Sequence, residues 1–260
     1  MEELILKGIE TAFLAAMLDV PVLYGIPDSQ PDMQQEGIHG SMAVTHRSLQ
    51  DKGVLITDSD GETIEPACLS LLDTVFHCEY YASAVSQTGE EQRAVYLYRR
   101  EDRLVVMELQ GENCVFRPTN KDKLPEILWQ TVDWSRLSSA MPVNHEELPE
   151  KVFSRAKEMQ TEKAVAYLKE AGLSIPMAEL AADAFSHRTV FAVFLFLNTR
   201  GRADAVQHVM FLGDNRGVVK LGFFVKDNLD YVALEACDPD HIRRCIEQKA
   251  CWFLGEDCTE

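Results

Sequence analysis

Leu49-Gln50-Asp51-Lys52-Gly53-Val54 and Leu168-Lys169-Glu170-Ala171-Gly172-Leu173 say the same thing in the two halves of a 260-residue chain. Each closes a helical pattern with a glycine, which enters the left-handed conformation of a helix C-cap without strain, and each exits on an apolar residue. Working outward, the flanking elements recur in order. After Val54 come a short extended piece with a polar turn (VLITDSDGE) and a helix capped by Thr63, with Pro66 in its first turn and Leu69, Leu72, Val75 and Phe76 on its inner face. Two β-like runs, 94–99 and 104–109, meet at an Arg-Arg-Glu-Asp turn, and Asn120 opens a helix to about Val132 that carries Leu124, Ile127 and Leu128. In the second half a helix over 177–185 precedes strands at 190–197, 205–212 and 218–225. Gly213-Asp214-Asn215-Arg216-Gly217 stands for the earlier turn. Asp238 caps a closing helix in which Ile242, Cys245 and Ile246 take the places of Leu124, Ile127 and Leu128. The offset stays between about 114 and 119 residues, the mark of an internal repeat.

Strands joined by hairpins and bracketed by helices predict an α+β fold with antiparallel sheet. The expected organisation is two similar sheet-plus-helix subdomains related by a pseudo-two-fold, residues 1–137 and 151–260, joined by a polar, proline-containing linker at 138–150. Pairing their sheets edge to edge would protect two otherwise exposed strands. Helical spacing of Leu6, Ile9, Ala12, Phe13, Ala16 and Met17 predicts a first helix over 4–18, stopped by Pro21. Residues 25–40, with three glycines and two prolines, read as an exposed connection, followed by a helix from about 42 to 52. Residues 152–168 read as one amphipathic helix.

Charge limits the partners. The chain has 25 Lys+Arg against 42 Asp+Glu, a net −17, of which −12 falls in residues 1–140 and −5 in 141–260. Such a surface repels phosphate backbones and anionic headgroups unless a basic patch overrides it. The densest basic cluster, Arg99, Arg100 and Arg103, is interleaved with Glu101 and Asp102, so neither nucleic acid nor membrane is an expected partner. If a basic or neutral partner docks by charge, the second half is expected to hold the apolar contact and the first to supply solubility. The N-terminal Met1-Glu2-Glu3 does not resemble a signal peptide. The longest apolar run, 189–197, is about half a membrane span, so a soluble cytoplasmic protein is expected. Seven cysteines without paired spacing suit a reducing compartment.

No motif demands chemistry. The phosphate-binding and dinucleotide glycine patterns do not occur, and Ser186-His187 is sequence adjacency rather than a nucleophile with its base. Residues 57–62 (TDSDGE) lack the first- and twelfth-position acids of a calcium loop. Residues 49–56 resemble a winged-helix entry but lack its basic charge. Cys237-x3-His241-x3-Cys245 is the single metal-like spacing; Cys237 precedes the Asp238 cap and Cys245 falls on the core face, so buried thiols beside a histidine are expected. No catalytic, cofactor or metal residue is assigned.

The order of elements, with Leu6, Gly8, Glu10, Phe13 and Leu14 in the first helix, Lys52-Gly53-Val54-Leu55 at the next helix end and Asp60-Gly61 in the following turn, resembles the EspG family, cytosolic chaperones of ESX, or type VII, secretion. It is most similar to the EspG-like proteins encoded beside exported LXG-type toxins. The resemblance implies a non-enzymatic chaperone without cofactor that holds a helical, LXG- or WXG100-like secreted client. The competing reading is an immunity or regulatory protein that binds a toxin domain. The expected contact points are exposed loops near aromatic residues. These are residues 82–92 after Tyr81, with Tyr81 itself, and the turn Asn198, Thr199, Arg200, Gly201 and Arg202.

Overall fold

The computed structural model describes residues 2–26, 35–59, 61–134, 145–186, 190–200, 206–214 and 217–256. The chain opens with strand β1 (Leu4–Lys7), then helices α1 (Gly8–Met17) and α2 (Gln35–Asp51), hairpin β2 (Leu55–Asp58)/β3 (Gly61–Ile64) and helix α3 (Pro66–Phe76). A four-strand meander follows, β4 (Tyr80–Thr88), β5 (Glu91–Arg100), β6 (Arg103–Gln110) and β7 (Asn113–Thr119), closed by a 3-10 turn and α4 (Leu124–Gln130). The second half runs β8 (His145–Pro149), α5 (Glu150–Ala156), α6 (Thr161–Glu170), α7 (Ile175–Ser186), then β9 (Val190–Asn198), β10 (Val206–Asp214), β11 (Gly217–Lys226), β12 (Leu229–Cys237) and α8 (Pro239–Leu254). A strand, three helices, a four-strand meander and a helix thus occur twice, the first copy with β2/β3 inserted.

This is the expected α+β class: a large antiparallel sheet in the order β1-β7-β6-β5-β4-β9-β10-β11-β12-β8, with β2 and β3 as a separate pair. In each copy the leading strand returns to the last strand of its own meander, β1 to β7 through Leu4↔Phe116 and β8 to β12 through Tyr231↔Pro149.

By internal contacts the chain divides into Met1–Ser83, Val95–Lys123 and Leu197–Ala205, and into Ala84–Ala94, Leu124–Phe196 and Val206–Glu260. The first unit has a core of α1, α2 and α3 residues against Tyr98, Val105, Met107 and Phe116; Asp73 of α3 accepts from Arg100 and Arg103 and so pins that helix to the β5–β6 hairpin. The second packs Phe153, Leu168 and Met177 against Leu212, Leu221 and Val232.

The two opening hexapeptides form the same Schellman-type ending. Val54 N–H donates to Leu49 O at 2.9 Å and Gly53 N–H to Gln50 O at 2.9 Å; Leu173 donates to Leu168 O at 3.1 Å and Gly172 to Lys169 O at 3.0 Å. Both glycines have positive φ, 68° and 109°, and all four flanking apolar residues are buried. A Cβ at either glycine would meet nothing within 4 Å. Gly53→Ala and Gly172→Ala are therefore each expected to cost only the left-handed penalty, about 1 kcal/mol, read as a fall in urea midpoint at unchanged slope.

Several local expectations are corrected. Residues 4–7 form a strand because Leu4 and Leu6 alternate inward, so the first helix starts at Gly8. Residues 35–40 belong to α2: beyond Pro31 no proline interrupts them, and glycine within a helix costs only about 1 kcal/mol. Glu65, not Thr63, caps α3, accepting from Cys68 N–H at 2.8 Å, while Thr63 sits in β3. Residues 82–92 are not a loop but most of the β4–β5 hairpin, its inward positions filled by Ala82, Ala84 and Ser86, small residues that carry little strand signal. The helix expected over 152–168 breaks at 157–160, where Gln160 is extended and only Met159 packs on the core. β7 went unread because of Pro118; pairing with β1 ends at Phe116, so Pro118 needs no second partner strand.

Candidate functional site

The loop expected to meet a partner is stitched to the start of β4 inside the first unit. Thr199 N–H donates to Glu79 O at 2.9 Å and Thr199 Oγ1 to Cys78 O at 2.5 Å; Arg200 pairs with the Glu79 carboxylate, and its amide donates to Asn198 Oδ1 at 3.0 Å. Asn198 and Thr199 are half-buried and Arg200 is exposed, while Gly201 and Arg202 lie outside the described residues. Tyr81 is elsewhere. It is only 7% exposed, with ring centroids of Tyr24 at 5.2 Å, Tyr98 at 5.7 Å and Tyr96 at 6.4 Å. Burial pushes its hydroxyl up to about 12, and Tyr98, buried beside it, donates to Tyr24 O at 2.7 Å.

Cys237, His241 and Cys245 do converge, around a lysine. Lys220 pairs with Glu235 and sits 3.7 Å from Cys245 Sγ; His241 Nε2 lies 3.0 Å from Glu235 Oε1, and Cys237 Sγ donates to Glu235 O at 3.3 Å. Burial pushes the Cys237 thiol up to about 12 and raises that of Cys245, which favours thiol over the thiolate a metal requires. Among the described residues no group of three or more His, Cys, Asp or Glu is placed to hold a metal ion.

A different surface stands out in the second unit. The β10–β11 ladder runs from Met210↔Leu221 to Asp214↔Gly217, whereas β11–β12 continues to Lys226↔Leu229. The two-residue turn beyond, Asp227-Asn228, takes positive φ at both positions, 52° and 62°, the primed geometry that matches strand twist. Along one face of β11, Val219 and Leu221 are buried, but the next two inward positions emerge: Phe223 is 42% and Val225 69% exposed. Val206, 53% exposed, and His208, whose ring is 6.4 Å from Phe223, extend the strip onto β10. Phe223 also touches Phe153 of α5 at 6.4 Å, and Phe153 stacks edge-on to Phe185 of α7 at 5.0 Å. Lys157 lies over Phe153 at 5.3 Å; Lys226 lies over Tyr231 at 5.7 Å and pairs with Glu147 at 3.0 Å. An apolar centre with a charged rim is the anatomy of a protein-binding patch.

The strip was not legible beforehand. Alternation places Phe223 and Val225 on the core face of their strand, and only the length of the hairpin and the reach of the helices show that they are uncovered.

No family model and no curated protein matches this sequence. Among solved structures, the fold recurs in the Mycobacterium tuberculosis type VII secretion system chaperone EspG5, solved in complex with a PE25-PPE41 dimer, at a TM-score of 0.67 and 12% identity over 94% of each chain. The likeness is one of fold, end to end. No helix among the described residues is long and apolar enough to cross a membrane.

Proposed function

We propose, from a fold shared along nearly its whole length with a type VII secretion chaperone, that this chain is a non-enzymatic chaperone of the cytoplasm which holds a helical, LXG- or WXG100-like secreted client. The observation that carries the reading is that end-to-end match. The physics supports it. A chaperone of this kind needs an apolar surface that stays bare until the client arrives and enough charge to keep that surface from self-association. The strip at Phe223 and Val225 offers the first, and the net −17 supplies the second. We take the strip as the docking face in place of the 198–202 turn, whose described residues are engaged with β4. The recurrence of the glycine-closed helix ends supports a duplicated origin for the two halves, the second of which opens with β8 at His145, inside the stretch expected as a linker at 138–150.

The test is co-expression with the secreted proteins encoded beside its gene, each also divided into helical targeting region and catalytic domain. A stoichiometric complex with the helical region is expected, with Phe223→Asp and Val225→Asp each weakening it at least about tenfold. Binding confined to the catalytic domain would replace this reading with the immunity one, and no complex with any of these proteins would overturn both.

A further inference from the structure

We draw no further inference here: the strongest candidate, the exposed apolar strip that Val206, His208, Phe223 and Val225 form on β10 and β11 of the second unit, carries nothing beyond the docking face already described, because nothing in the structure shows what covers it.

Discussion

Glu10→Ala is expected to lower the free energy of unfolding by about 2–3 kcal/mol, seen as a fall in thermal midpoint of about 5–10 °C. Glu10 is 1% exposed, and its carboxylate accepts from Lys7 N–H at 2.6 Å, Ser48 Oγ at 2.7 Å and Lys52 Nζ at 2.6 Å. One side chain thus caps the start of α1 and binds it to the end of α2, immediately before the Gly53 turn. Alanine would leave a cavity, an uncapped helix start and a lysine without its partner. The lysine remains partly in water, so the loss falls short of a fully buried pair. Glu10→Gln, which keeps the shape but loses the charge, should cost about half as much.

The same carboxylate sets an acid limb. Burial pushes its pKa up, but the Lys52, Lys7 and Ser48 donors outweigh that and hold it below the ordinary 4.5. A depressed folded value contributes stability in full above the unfolded range and loses it as pH falls through the folded value. The gap between wild type and Glu10→Gln should therefore close in acid, below about pH 4, and urea titrations across pH 3–7 would show it.

Gly25→Ala is the second large effect, about 2–3 kcal/mol, well above the 1 kcal/mol expected at Gly53. Both glycines have φ near +70°, so the backbone penalty is shared. The difference is space, because nothing stands within 4 Å of a Cβ at Gly53, while at Gly25 the Tyr96 ring and the Tyr81 hydroxyl occupy it. Relief would require the tyrosine cluster to open or residues 18–26 to lift from the sheet. A Gly25→Ala protein whose urea midpoint matches that of Gly53→Ala would show the seat to be looser than described.

Much of the architecture was legible because its signals are local. Glycines at helix ends, the Asp238 cap, which accepts from His241 N–H at 2.7 Å, and the polar hairpin turns follow from backbone geometry that few residues satisfy. The misread elements are those in which tertiary context overrides local preference. β4 buries alanine and serine, β7 tolerates proline on an open stretch, and β1 is only four residues long. The candidate site was illegible for a related reason. Phe223 and Val225 have the character of core residues, and what makes them a surface is the absence of anything above them, which is a property of other segments.

The connections after α1 and α5 are unequal. Seventeen residues separate α1 from α2, and four separate α5 from α6. If the halves descend from one ancestor, the difference in length fell between regular elements, where it leaves the order of strands and helices untouched. It gave the first unit a stretch of chain that the tyrosines of its sheet hold in place, Tyr98 through the Tyr24 carbonyl and Tyr96 and Tyr81 by closing around Gly25. The longer half is therefore also the one whose sheet tolerates least change at that seat, since a side chain gained at one glycine would be felt by three rings.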